Sequence, residues 1–389
     1  MISDKINLIL KSKIFIILLI VLAFLSILHA FNISISDVGS TDFSISPAVL
    51  FWDKINPYEY FLYSDNTEKI IGWQIPIYAH ATYVIFYFFT LLDLQNANLI
   101  WSILNISLGI LSVIIISKFQ KLEIFEIVIL ICLFCISTPF RNCVSLGQIT
   151  FVILLCFCAI LKQNLIIRNL LLGVSYLKYS FAPVLFFTIF LKDGFKGLLI
   201  SLFFCFLGWV FFSLYLDQKL LQTILQPLQV ALIHPNDHLT RGDLFTILGF
   251  LNNYETGFNL NIFRIAIVGI VSFILAKDIY KLDDKLLILS LLLIGNLFTF
   301  GHLIYDYIVL LPSFVYSFSN RKLIQAKISL LIIFYFWFGI RLKDYIIDFM
   351  TNKTFSLSPI SYVTSSQVFM NFVLLVILYY SIKKIKQSS

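Results

Sequence analysis

The sequence predicts an all-α protein threaded through a membrane many times, and three observations predict it. Of 389 residues, 60% are hydrophobic and only 13% are charged, with a mean hydropathy of +0.94, which is the composition of bilayer-embedded chains. The apolar runs are continuous, as in spanning helices, and lack the two-residue alternation of barrel strands. Lys and Arg fall in small clusters between those runs and leave a net charge of +7, the pattern of cytoplasmic loops in polytopic proteins. A soluble enzyme is excluded, and the positive charge requires no nucleic acid.

Apolar blocks cover about 14–32, 76–93, 96–118, 123–137, 147–162, 165–178, 181–192, 196–216, 259–280, 284–300, 302–319, 323–341 and 366–383. The first follows Lys5, Lys11 and Lys13; it is long for the core of a signal peptide and further blocks follow, so it reads as an uncleaved first helix. Next comes the acid-rich stretch 37–76, with Asp37, Asp42, Asp53, Glu59, Asp65 and Glu68, which must meet water.

Orientation then sorts the other blocks. With the N-terminus cytoplasmic and the acidic stretch outside, a full crossing by 76–93 would leave Lys118, Lys121, Lys162 and Arg168 outside. If 76–93 is only a partial helix on the outer side, these residues fall inside. So do Lys192, Lys196, the cluster from 277 to 285, Arg321, Lys322, Lys383, Lys384 and Lys386, as the positive-inside rule requires. The expectation is about 12 transmembrane helices with both termini inside, a partial outer-face helix at 76–93, and an interfacial amphipathic helix at 220–233. The whole chain, 1–389, reads as one membrane domain, with an outer catalytic loop and half-helix at 33–95 and a second outer loop at 217–258.

That topology gathers the polar interruptions on one face. The turn at 137–148, the break at 178–180, the break at 301–302 and the loop holding His234, Asp237, His238 and Arg241 all join Asp42 outside. A charge at mid-bilayer costs about 2.5–3.5 kcal/mol on insertion scales, so Arg141 and Lys178 are expected to face protein or a wet cavity.

Each candidate has a plain reading beside its functional one. Asp42 can accept a proton from an incoming hydroxyl or cap a helix starting at Phe43. Lys178 can hold a phosphate or snorkel from a helix end, and Arg141 poses the same choice. Gln148 can bond sugar hydroxyls or cap the next helix. His302 can contact a phosphate or hydroxyl, or be structural; Tyr305 and Asp306 follow it, and Asp306 within the apolar run demands a partner. His234 and His238 stand four apart, but Pro235 and Asn236 between them favour a turn over a metal site. Cys132 and Cys135, spaced C-x-x-C inside an apolar run, read as packing. No metal or cofactor is expected. The sequence has no glycine-rich nucleotide loop and no D-x-D pair in a soluble domain, which points to a lipid-carried donor.

Several short motifs then align in order. Asp42–Phe43, "NPYEY" at 56–60 and "QIPIY" at 74–78 resemble the first outer loop of glycosyltransferase family 87. "ANLIWSILN" at 97–105, "STPFRNCVSLGQITFVILL" from 137, "LLLGVSYLKYSFAPVL" around Lys178 and "GHLIYDYIVLLP" at 301–312 are similar to its later segments. The order of half-helix, crossing and outer Gly-Gln turn also resembles the mannosyltransferases of glycosylphosphatidylinositol assembly. The resemblance implies a C-type glycosyltransferase-like helical bundle that inverts the anomeric carbon on the outer face. It implies a polyprenyl-phosphate sugar as donor, usually mannose, with no nucleotide.

By position Asp42 matches the family's loop aspartate, its base, and His302 its late histidine, while Lys178 and Gln148 match a lysine and a glutamine of its motifs. Lys178, Arg141 and His302 are then expected on the donor phosphate, and Gln148, Tyr58 and Tyr305 on sugar or acceptor. A double proline usual near Gln74 is here Ile75–Pro76, and Lys178 lies farther than usual from Pro183, so the donor pocket departs from the family pattern. The expected enzyme transfers a hexose to a hydroxyl of a lipid or glycan acceptor at the outer face of a bacterial plasma membrane. A glycan polymerase or ligase using pyrophosphate-linked donors, and a lipid or sugar transporter, are the competing readings.

Overall fold

Helix boundaries in the computed structural model are set by side chains that satisfy the free N–H groups of first turns. The structure describes residues 13–36, 39–64, 68–72, 74–233, 244, 248, 260–300, 302–340 and 370–378, with no strand among them. The chain opens with α1 (Lys13–Ser34), α2 (Ile45–Trp52), α3 (Pro57–Tyr63), α4 (Ala81–Ile85), α5 (Tyr87–Thr90) and α6 (Leu94–Phe119). It continues with α7 (Ile124–Ile136), α8 (Thr138–Ser145), α9 (Thr150–Phe157), α10 (Leu165–Val174), α11 (Pro183–Tyr215) and α12 (Leu220–Ile233). The last named elements are α13 (Leu260–Ile279), α14 (Lys285–Thr299), α15 (Leu311–Ser319), α16 (Ile324–Phe334) and a helical segment at 370–378. Asn56 caps α3 with Pro57 in its first turn, Asp93 caps α6, Asn164 caps α10 and Asp284 caps α14.

Among the described residues three helices, α1, α6 and α11, are long and apolar enough to cross a membrane. Ile14, Ile17, Leu18, Phe24 and Leu25 of α1 all lie exposed, an apolar surface suited to lipid. The chain is therefore an all-α membrane protein. Helices α7 and α8 would make a fourth span if counted together, but Ser137 and Pro139 break them at 61°. The other apolar blocks form shorter helices, often finished by a change of pitch, tighter where the 3-10 turn Cys158–Leu161 extends α9 and wider where the π turn Tyr335–Gly339 extends α16. Lengths alone thus give fewer spans than the twelve the sequence suggests. Block 76–93 contains only α4 and α5, about 15 Å of helix, half of what a crossing needs.

Gly194 divides α11. Its φ of 65° and ψ of −165° suit a residue without a Cβ. Near the start of α10, Arg168 and Asn169 bond Asp193 at 2.6 and 3.0 Å. Farther along α10, Leu172 shares a cavity with Thr188 and Ile189 on one side of Gly194, and Gly173 packs on the Ser201 backbone on the other. The arm before Gly194 therefore runs antiparallel to α10, and the arm after it runs parallel. Blocks 181–192 and 196–216 are separate helices joined at that glycine.

Helix α14 lies at the centre, with every residue from Leu286 to Leu297 buried. It fixes two ends of the bundle. At one, Lys285 Nζ donates to the Leu161 carbonyl at 3.1 Å, near the Arg168–Asp193 pair. At the other, Asn296 Oδ1 accepts from the Val184 amide at 3.1 Å, a donor in the first turn of α11. The chain then leaves α14 for His302 and a 3-10 turn, Ile304–Leu310. Basic residues collect at the first end; the candidate site is at the second.

Candidate active site

The loop before α2 is tied to the end of α8 by two backbone bonds. Ser40 N–H donates to the Ser145 carbonyl at 2.8 Å and Asp42 N–H to that of Leu146 at 2.9 Å. Gly147 follows with φ of 70°; a Cβ there would meet Phe43 Cβ at 2.7 Å, so the loop can approach only because this residue is glycine. Its carbonyl accepts from Trp101 Nε1 at 2.7 Å. This clamp places Gln148 opposite Asp42.

From there one polar chain runs through the apolar interior. Gln148 Nε2 donates to Asp42 Oδ2 at 2.6 Å, and Gln148 Oε1 accepts from Lys178 Nζ at 3.3 Å and from the Tyr78 hydroxyl at 3.0 Å. Lys178 Nζ also donates to Thr150 Oγ1 at 3.2 Å and meets Asp306 Oδ1 at 2.5 Å. Thr150 donates to the same Asp306 oxygen at 2.7 Å. The other oxygen, Oδ2, lies 2.9 Å from His302 Nδ1. Asp306 is thus held by an ammonium, a hydroxyl and an imidazole while 1% exposed, the degree of partnering a buried carboxylate needs.

Lys178 owes its direction to a helix break. It has extended φ and ψ of −112° and 97° between two 3-10 turns, Ser175–Leu177 and Tyr179–Phe181. Its Nζ sits over the Tyr305 ring at 4.8 Å and near the Phe181 ring at 5.7 Å, contacts that favour the cation. His302 stacks on Phe181, ring centroids 4.5 Å apart. Its Nε2 is buried with no hydrogen-bond partner among the described residues. This nitrogen is the open position of the network.

The structure joins Asp42, Gln148, Lys178, His302 and Tyr305 and sets Arg141 and Tyr58 apart. Asp42 does not cap a helix starting at Phe43: α2 begins at Ile45 with Ser44 at the cap position, because the Asp42 backbone is held by α8. Gln148 is not a helix cap either; the residue before α9 is Ile149, and the Gln148 amide bridges Asp42 to Lys178. Arg141 is half-buried, with Nη2 3.3 Å from its own helix's Thr138 Oγ1, and α8 packs against the 3-10 turn bearing Asp306. Tyr58 is fully buried and donates to the Tyr78 carbonyl at 2.6 Å, behind the residue that touches Gln148. His80 lies beside Tyr58, 4.8 Å between rings, and burial pushes its imidazole down to about 3.

Three members were not singled out as site residues from sequence: Asp306, Thr150 and Tyr78. Asp306 carried a signal, a carboxylate in an apolar run; Thr150 and Tyr78 carried none beyond adjacency to Gln148 and membership of "QIPIY". His234, Asp237, His238 and Arg241 lie outside the described residues. Among the described residues no group of His, Cys, Asp and Glu could hold a metal, and Cys132 and Cys135 are buried and free. In comparisons with known proteins, no family model, no curated protein and no solved structure matches the chain.

Proposed function

We propose that the chain is a membrane glycosyltransferase that moves a hexose, mannose by the resemblance of its motifs, from a polyprenyl phosphate to a hydroxyl acceptor at the outer face. The observation that carries this reading is the buried relay Asp42–Gln148–Lys178–Asp306–His302, five side chains from four distant segments in one apolar interior. Polar groups in such surroundings are costly and collect where substrates are handled.

In this mechanism Asp42 takes the proton of the acceptor hydroxyl as its oxygen attacks the anomeric carbon. The bond from that carbon to the phosphate oxygen breaks, and its electron pair leaves with the phosphate. Gln148 holds the Asp42 carboxylate in place. Lys178 and Asp306 cancel each other's charge, so the phosphate is held through His302, whose Nε2 is buried with no partner among the described residues. Charge that builds on the leaving oxygen then meets fixed donors, a large source of rate enhancement. The reading includes a C-type bundle of about twelve crossings with no cofactor.

Labelled mannose on a polyprenyl-phosphate carrier, offered to purified protein with lipid and glycan acceptors, tests it. Asp42→Asn should lower turnover by about a hundredfold or more, the usual worth of a positioned base. Turnover unchanged in that variant would remove Asp42 from the mechanism, and no transfer by the wild type to any acceptor would remove the activity. One feature favours a second reading: the Lys178–Asp306 pair is the type of intramembrane ion pair used by coupled carriers. Substrate counterflow in liposomes that depends on Asp306 and not on Asp42 would select that reading.

A further inference from the structure

The opposite end of the bundle holds a second polar site, built by different residues and independent of the proposed transfer. Helices α10, α11 and α14 meet there around a small cavity of about 30 Å³, room for one or two waters. Its floor is apolar, with Ile160, Leu172, Ile189 and Ile288, and its rim carries Arg168, Lys192, Lys285 and Asp193. Asp193 is already engaged: Oδ1 accepts from Arg168 and Oδ2 from Asn169. Lys285 Nζ donates to a neutral carbonyl, that of Leu161, which leaves its charge uncompensated. Lys192 is exposed and has no hydrogen bond or ion pair among the described residues. Asp283, also near Lys192, is exposed and contributes a screened charge. Two cations from two helices thus face one pocket whose depth is apolar.

We infer that this end binds a phosphate group carried on an anionic lipid, with the phosphate at the mouth of the cavity between Lys192 and Lys285. The chemistry matches basic recesses between helices that hold lipid headgroups. About 20 Å of α14 separates Lys285 from the Asp42 end, so the two sites are distinct.

Titration of purified protein in detergent with phosphatidylglycerol, followed by native mass spectrometry, tests the inference. Each lysine near such a surface is worth about fivefold in affinity, so Lys192→Gln should weaken binding about fivefold and Lys192→Gln with Lys285→Gln about 25-fold. Lys118→Gln with Lys121→Gln, an equal change in net charge on exposed residues of another segment, should leave binding unchanged. If that control pair weakens binding as much, or phosphatidylcholine binds as tightly as phosphatidylglycerol, the site as described is wrong. Because Lys192 is exposed, its single variant reads out even if the double variant fails to fold. Inorganic phosphate at millimolar concentration separates the sources: displacement of the lipid identifies a pocket for phosphate itself, and persistence identifies a site that requires the phosphate on its lipid.

Discussion

Lys178 and Asp306, 128 positions apart, meet as a buried ion pair of 2.5 Å. Each charge is tolerated in its apolar surroundings only because the other is present. Removing one partner from such a pair costs about 3–5 kcal/mol, whereas replacing both with apolar groups costs far less. Asp306→Asn and Lys178→Met should each lower thermal stability in detergent strongly. The double variant Lys178→Met/Asp306→Leu should be more stable than either single one. If the single losses simply add in the double variant, the pair is not the stabilising unit.

Gln148 connects that pair to Asp42, and its amide donates to the Asp42 carboxylate at 2.6 Å. A hydrogen bond to the charged form of an acid favours ionisation. Gln148→Ala removes the bond and should move the acid limb of the rate–pH profile of transfer to higher pH, with a lower plateau. Gln148→Asn, one methylene short, should do the same to a smaller degree. A lower plateau with the acid limb unmoved would mean that Gln148 positions substrate alone.

Much of the helical layout was legible in the sequence because its signals are local. Caps at Asp93, Asn164 and Asp284 sit at or within three residues of the start of an apolar block, and Lys192, Gly194 and Lys196 mark the fold-back between two blocks. The site was legible in part. Asp42, Gln148, Lys178 and His302 stand out as polar residues next to apolar runs, but their mutual contacts depend on tertiary bonds such as Asp42 N–H to Leu146, which no local pattern encodes. Tyr58 looked like a ligand contact for the same reason: an aromatic in a loop cannot be told by sequence from one whose hydroxyl serves a neighbouring backbone carbonyl. The number of crossings is the least legible feature, since several apolar blocks form short helices with 3-10 or π extensions, and length alone does not count these as spans.

Gly147 is the residue on which the Asp42 loop rests. Its φ of 70° is strained for any side chain, and a Cβ would come within 2.7 Å of Phe43 Cβ. Gly147→Ala should cost about 1–3 kcal/mol and displace the loop, lowering transfer activity more than stability alone explains. The check is activity at a temperature well below the variant's melting point. Wild-type activity there would mean that the loop tolerates the shift.

His80 makes a prediction about pH that is separate from catalysis. Its imidazole is buried against Tyr58 and Phe212 and burial lowers it from 6.5 to about 3. Between those values the unfolded chain binds a proton that the folded one does not, so this group makes folding less favourable as pH falls below about 6.5. The slope is at most about 1.4 kcal/mol per pH unit, and the effect is absent above neutrality, where both states are neutral. His80→Phe keeps an aromatic ring against the same neighbours and removes the titration. Melting temperatures of the two proteins, compared from pH 7.5 down to pH 4.5, should therefore diverge, with the wild type falling more steeply. Parallel curves would show that His80 gains a proton in the folded state, held there by the Gln226 side chain and the Thr223 backbone, whose hydrogen bonds oppose the effect of burial.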